Sequence, residues 1–399
     1  MFQSLTRVPE DPILGISAAF RKDPAAHKVD LGVGVYKDES GATPVPAAVT
    51  IAEAELLAEQ TTKAYLSPVG NPGFNAQVLA LTLGADHAGR VGDAAAVQAP
   101  GGSGALRLGA ELLRISNPAG VVHASDPTWA NHVPLITGAG LKIERYPYYS
   151  AATHSVDLER MLSYFDGLPA GSVVLLHASC HNPTGQDLDA TQWSAVAEVV
   201  KRRGLLPFID MAYQGLGVNL DADAASIRMF ARQVPEMLVA VSCSKNFGLY
   251  RERTGLLIVM TGSAEQAAVT TGHLGRIART IYSMPPDHGA ALVDRVLARP
   301  VLRQQWQAEL VAMADRINGL RALLAQRLAH HWNGADFSWI TRQFGMFSRL
   351  DATPAMVARL RDQHHVYIAP DGRINIAGIS ARNVDHVATS IVEVMRAPA

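Results

Sequence analysis

The chain has 399 residues, 48% of them hydrophobic and 18% charged. That length exceeds what a single hydrophobic core serves, so two domains are expected in an ordinary soluble globular protein. A formal net charge of -1 excludes nucleic acid and acidic membrane surfaces as main partners. Cys180 and Cys243 give neither a disulfide framework nor a cysteine-rich metal site, and both read as small buried residues in a reducing compartment.

Residues 1 to about 12, with Pro9 and Pro12 and little periodicity, predict an extended arm. They lack the apolar core of a signal peptide, and no stretch approaches bilayer-spanning length, so the expected setting is the cytoplasm. A segment centred on Asp30–Lys37 follows, closed by a turn at Gly41 and Pro44. Its Gly32-Val33-Gly34 is too short for a dinucleotide loop, having no third glycine and no helix behind it. Ala47 to Gln60 is helix-like, and the next loop holds Tyr65 ahead of Gly70, Pro72 and Gly73.

Ala95–Gln98 leads into Pro100-Gly101-Gly102-Ser103-Gly104, and the helix-forming run Ala105–Leu113 comes next. Glycine amides at a helix N-terminus suit a phosphate, although a plain strand-to-helix turn has the same composition. Val121–Ser125 reads as a strand, with Asp126–His132 as the loop at its end. Val173–Ala178 is another strand, running into Cys180-His181-Asn182-Pro183-Thr184-Gly185. A helix with Trp193, Val196, Val199 and Val200 on one face follows, and Leu205–Ile209 leads into Asp210-Met211-Ala212-Tyr213. Strand, helix, strand in succession predicts a mostly parallel sheet with helices on both faces and ligands at the carboxyl ends of its strands.

The apolar runs Leu238–Val241 and Thr254–Met260 read as buried strands on either side of Ser242-Cys243-Ser244-Lys245 and Arg253. A lysine among hydroxyls, with an arginine eight residues on, suits a carbonyl cofactor that carries a phosphate. A solvated loop is the plain alternative. From Glu309, Leu310, Met313, Ile317, Leu320, Leu324 and Leu328 recur at helical spacing. This long helix leads toward a smaller second domain with Phe344–Ser348, a helix near 354–363 and Arg373–Gly378.

In this order and spacing the motifs resemble the pyridoxal-phosphate aspartate/aromatic amino-acid aminotransferases, class I of fold type I, from Asp11-Pro12-Ile13-Leu14 to Asn375-Ile376-Ala377-Gly378. The resemblance implies an α/β fold. A large domain (45–312) would hold a mostly parallel seven-stranded sheet between helices. A smaller α+β domain would combine an N-terminal arm and first part (1–44) with a C-terminal part (313–399). It also implies a homodimer with shared active sites, amino acids and 2-oxo acids as substrates, and no nucleic-acid or membrane partner.

Residue by residue, Lys245 resembles the lysine that forms the Schiff base with pyridoxal 5'-phosphate and moves the α-proton. Asp210 matches the aspartate facing the pyridine nitrogen, and His132 the histidine behind it. Asn182 and Tyr213 match the pair bonded to the cofactor's phenolic oxygen, and Trp129 the indole stacked on its ring. Gly102, Ser103, Ser242, Ser244 and Arg253 would form the phosphate cup, joined by Tyr65 from the second subunit. Arg373 resembles the residue gripping the substrate α-carboxylate, and Arg279 the one reaching across the dimer to a side-chain carboxylate; Gly34, Trp129 and Asn182 complete the implied substrate contacts. Closure of the small domain on dicarboxylates would assemble Arg373 and exclude water.

Some positions depart from the aspartate-specialised pattern. Ser103 stands where those members usually carry threonine, Met284 at a position commonly asparagine or serine, and Ala64 at one commonly asparagine or leucine. Val35, Lys37 and Thr43 follow the aspartate pattern. The implied reaction is transamination of L-aspartate with 2-oxoglutarate, with activity on aromatic amino acids. An enzyme mainly for tyrosine and phenylalanine is the alternative. A β-lyase or decarboxylase would not need two carboxylate-binding arginines. A ligand-sensing regulator would need a DNA-binding helix-turn-helix ahead of the arm, and none precedes it.

Overall fold

The computed structural model describes residues 2–7, 12–90 and 92–396. The chain forms two compact units, one made of the described residues of Met1–Thr43, Pro183–Gly185 and Arg316–Ala399, the other of Pro44–Asn182 and Gln186–Asp315.

The larger unit is built on a seven-stranded sheet of β1 (Ala94–Pro100), β2 (Val121–Asp126), β3 (Lys142–Pro147), β4 (Val173–His177), β5 (Leu206–Met211), β6 (Met237–Ser242) and β7 (Thr254–Met260), in the order β1-β7-β6-β5-β4-β2-β3. β7 runs antiparallel to both its neighbours, and the other pairings are parallel. Every residue of β6 and β7 is buried, as expected of strands covered on both faces, and this is why their sequences are continuous rather than alternating apolar runs. The register sets Thr254 opposite Pro100, Gly255 opposite Ser242 and His177 opposite Asp210. The segments after β1, β4, β5 and β6 and before β7 therefore share one edge of the sheet, and most of the sequence motifs fall there.

Helix α1 (Gly101–Ser116) packs Ala105, Leu106, Leu108 and Leu113 into the core beside Val97, Phe208, Leu238 and Leu257. It starts at Gly101, earlier than the expected Ala105, because β1 ends at Pro100 and Gly101 turns the chain at φ 72°. The helix Ala190–Arg203 begins at a capping box of Asp189 and Gln192 and ends at Gly204 with φ 62°. Helix α2 (Ala264–Ile281) buries Leu274, Ile277 and Ala278 in the same core. Helix α3 (Pro300–His331) starts nine residues before the expected Glu309 and supplies residues to both units.

In the smaller unit Val29–Asp30 pairs parallel with Val366–Tyr367, and Phe347–Arg349 pairs antiparallel with Arg373–Asn375. Asn375 donates its side-chain amide to the carbonyls of Val33 and Val35, at 2.7 Å each, and fixes the loop around Gly34. Helices Pro12–Lys22, Pro354–His364 and Val384–Arg396 belong to this unit. The extended arm is corrected at its start, where Phe2–Ser4 is a 3₁₀ turn, and a helix begins at Pro12, about where the arm was expected to end. Residues 8–11 of the arm, including Asp11, lie outside the described residues. Among the described residues no helix is long and apolar enough to cross a membrane, and no group of histidine, cysteine or acidic residues is arranged to hold a metal ion.

Candidate active site

The anion-binding feature arises where β1, β6 and β7 meet. The N-cap of α1 is Pro100, whose side chain offers no acceptor to the first helical amides. A Cβ on Gly101 would stand 2.6 Å from Arg253 Nη2, and one on Gly102 would stand 3.1 Å from Ser242 Cβ. The glycines thus let the serine and the guanidinium close on the helix N-terminus. Arg253 Nη1 donates to Ser244 Oγ at 3.5 Å and to the Tyr250 carbonyl at 3.1 Å, and the Ser244 amide donates to Ser242 Oγ at 3.3 Å. Ser103 lies in the first turn of α1. Free amides, two hydroxyls and a guanidinium are the donor set a phosphate monoester requires.

Asp210, next to last in β5, is buried beside a second cluster. Its Oδ2 accepts from His132 Nε2 at 3.1 Å, and His132 Nδ1 meets Thr128 Oγ1 at 2.9 Å. Thr128 Oγ1 also meets His177 Nε2 at 3.2 Å. The His177 and His181 rings lie 4.3 Å apart, His181 stacks on Tyr148 at 4.1 Å, and His181 Nε2 meets Ser125 Oγ at 2.9 Å. Burial alone would push the Asp210 carboxyl up, but the His132 hydrogen bond and the positive potential of His132, His177 and Lys245 hold it below its usual value. Burial drives His177 down to about 3, with His132 adding to the effect and Asp210 opposing it, and drives His181 far down as well. The result is a buried carboxylate held as an anion and braced by the His132 ring, suited to face a protonated ring nitrogen. Trp129 meets His132 edge-on at 5.3 Å and packs against the main core.

Lys245 lies in the β6–β7 segment with its Nζ 4.8 Å from the centre of the Tyr213 ring. Asn182 is buried at the end of a loop that Asp187 clamps, its two carboxylate oxygens accepting from the amides of Cys180 at 2.6 Å and His181 at 2.8 Å. The clamp holds Cys180 at φ 54°, a left-handed conformation uncommon for a residue with a side chain.

In the smaller unit Arg373 is buried, donates Nη2 to the Gly32 carbonyl at 2.8 Å, and stacks its guanidinium 4.4 Å from the centre of the Phe347 ring. The Cζ edge of that ring abuts Gly34, where a Cβ would come within 2.8 Å of Phe347 Cζ.

Tyr65 and Arg279 stand apart from these groups on exposed surface. Tyr65 is 91% exposed. Arg279, in the last turn of α2, donates Nη1 to Ser283 Oγ at 2.7 Å. Nearby, Met284 Sδ accepts the Leu66 amide at 3.3 Å.

Sequence reasoning assigned no role to Thr128, His177, His181, Asp187 or Phe347. His177 and His181 carried a signal, as two histidines four residues apart at a strand end. Phe347 carried none, since its partners Gly34 and Arg373 are remote in sequence.

A family model described as "Aminotransferase class I and II" matches residues 26–391. The chain is 47% identical over 394 residues to the aromatic-amino-acid aminotransferase of Pseudomonas aeruginosa, covering 98% of each chain. It is 40% identical over 399 residues to the aspartate aminotransferase of the same organism, covering 99% of this chain and 100% of that one. Among solved structures, the aromatic-amino-acid aminotransferase of Burkholderia pseudomallei covalently bound to pyridoxal phosphate matches with a TM-score of 0.97 and 44% identity, over 99% of this chain and 100% of that chain.

Proposed function

The chain belongs to the class I and II aminotransferases, and from that premise we propose that it transfers the amino group of L-aspartate to 2-oxoglutarate, giving oxaloacetate and L-glutamate, and that it accepts aromatic amino acids as further donors. The observation that carries the reading is the gathering of a phosphate-type donor set, a buried carboxylate and Lys245 at one edge of one sheet. Pyridoxal phosphate, carried on Lys245 in the resting enzyme, would supply a sink for the electrons released when an amino acid loses its α-proton.

The chain's own residues do the rest. Gly101, Gly102, Ser103, Ser242, Ser244 and Arg253 hold the phosphate, and Asp210, oriented by His132, keeps the proton on the ring nitrogen. Asn182 and Tyr213 would hold the phenolic oxygen, and Trp129 would cover the ring. Lys245 takes the proton from the substrate Cα. Arg373 would bind the α-carboxylate as a bidentate pair and so present the Cα–H bond to Lys245, which favours loss of the proton over loss of carbon dioxide. Gly34 leaves room for the substrate beside Arg373.

The exposure of Tyr65 and Arg279 supports a homodimer in which each copy lends these residues to the other, Tyr65 to the phosphate and Arg279 to a side-chain carboxylate. A domain division at residues 45 and 312 and a cytoplasmic setting belong to the same reading; the two buried free cysteines suit a reducing compartment.

A second reading, with tyrosine and phenylalanine as the main donors, is favoured by Ser103, by Met284 beside Leu66, and by the 47% identity to the P. aeruginosa aromatic-amino-acid enzyme. The test is a half-reaction without any keto acid, following cofactor absorbance after mixing with L-aspartate and, separately, L-phenylalanine. Faster conversion by aspartate supports the main reading, and faster conversion by phenylalanine supports the second. No conversion by either would overturn both.

A further inference from the structure

Arg321 lies on the second half of α3, only 1% exposed. Its Nη1 donates to the Ile340 carbonyl at 3.3 Å, Gln343 Oε1 at 3.3 Å and Ser348 Oγ at 2.6 Å. Its Nη2 donates to the carbonyls of Gly345 at 2.5 Å and Phe347 at 2.9 Å. Ser348 Oγ in turn donates to Gln343 Oε1 at 2.6 Å. A buried guanidinium is costly to desolvate, and an apolar side chain of similar size would fill the same space. What the guanidinium adds is geometry, because a planar fork fixes several acceptors relative to one another where an aliphatic side chain or an ammonium cannot.

The segment it fixes, residues 340–348, carries Phe347, and Phe347 has no slack. The Arg373 guanidinium stacks on its ring, and the Gly34 backbone crowds the Cζ edge of the same ring. The segment is also tied to Gly185, whose carbonyl accepts the Phe344 amide at 2.7 Å and whose φ of 69° and crowding against the Phe347 carbonyl leave no room for a side chain. A shift of the 345–347 carbonyls therefore moves the surface on which Arg373 lies.

We propose that Arg321 is a positioning residue for substrate binding: by holding the carbonyls of Gly345 and Phe347 it seats the Phe347 ring, and that ring sets the plane of the Arg373 guanidinium for the substrate's α-carboxylate. The proposal rests on the reading of Arg373 as the α-carboxylate partner. A misplacement of a binding group by a fraction of an ångström weakens a bidentate pair without abolishing it, so the effect belongs in affinity for carboxylates.

The test is a double-mutant cycle on holoenzyme with Arg321→Lys, Arg373→Lys and the double variant. It reads the KM for L-aspartate and, by absorbance titration, the Kd for succinate, a dicarboxylate without an amino group. Arg321→Lys is expected to raise both constants about tenfold while the cofactor spectrum stays unchanged, and to add less than about twofold once Arg373 is already lysine. Constants within twofold of the parent, or the same tenfold factor in both backgrounds, would overturn the proposal. Arg373→Lys leaving both constants unchanged would instead overturn the underlying reading of Arg373. Where Arg321→Lys does not accumulate as folded protein, Phe347→Leu takes its place in the cycle, with the same expected rise and the same overturning results.

Discussion

Replacing Gly101 with alanine separates the phosphate-binding role of its surroundings from mere folding. Gly101 sits at φ 72°, so an alanine there incurs about 1–2 kcal/mol of left-handed strain in the folded protein whether or not cofactor is present. Its Cβ would also lie 2.6 Å from Arg253 Nη2 and 3.0 Å from Arg253 Cζ. Arginine is flexible enough to swing aside cheaply, so this contact adds little to the strain, but the displaced guanidinium no longer reaches the anion. A charge-assisted hydrogen bond is worth about 1.5–3 kcal/mol, which predicts PLP affinity lowered by roughly 10- to 150-fold. The assay removes the cofactor, titrates PLP back and follows absorbance. Gly319→Ala is the control, since a Cβ there meets nothing within 4 Å. A Gly101→Ala protein binding PLP as tightly as the parent would refute the assignment of Arg253 and the α1 N-terminus to the phosphate.

Two further outcomes follow from other parts of the structure. Arg279→Leu should lower kcat/KM for L-aspartate by at least about a hundredfold and for L-phenylalanine by far less, because the aspartate side-chain carboxylate would be left unpaired; equal losses for both donors would remove Arg279 from the substrate site. His177, with its pKa pushed by burial to about 3 from the ordinary histidine value of about 6.5, stays neutral in the folded chain while the unfolded chain protonates. The unfolded state therefore binds more protons between those values, so this contribution is fully present above about pH 6.5 and is lost as pH falls toward 3, with a slope approaching about 1.4 kcal/mol per pH unit. His177→Gln should then lose about 2 kcal/mol less stability than the parent between pH 7 and pH 5, read from urea midpoints; parallel pH dependences in the two proteins would contradict the burial argument.

The central strands were legible because β6 and β7 carry the continuous apolar runs Met237–Val241 and Leu256–Met260, a pattern that burial on both faces sustains. β3 was not, since only Tyr146 among its six residues is buried and the rest of an edge strand needs no apolar pattern. The helix Pro12–Lys22 was hidden by Pro12, which reads as a turn yet is well tolerated at a first helical position. At the site, Lys245, Asp210 and Asn182 stood out because polar residues directly after apolar strands mark the edge where ligands bind. Thr128 and Phe347 did not, because their roles come from partners brought close only by the fold. Arg321 does leave a trace in the sequence: it lies four residues after Ile317 and three before Leu324, inside the apolar stripe of its own helix, where a charged side chain demands an explanation.

The most direct test of the account is the turnover of purified Lys245→Ala with L-aspartate and 2-oxoglutarate. A residue that carries the cofactor and moves the α-proton contributes more than about a hundredfold through proton transfer alone. The account predicts turnover reduced by at least that factor, with PLP still bound through Asp210, Arg253 and the α1 N-terminus. Near-normal turnover by Lys245→Ala would contradict it.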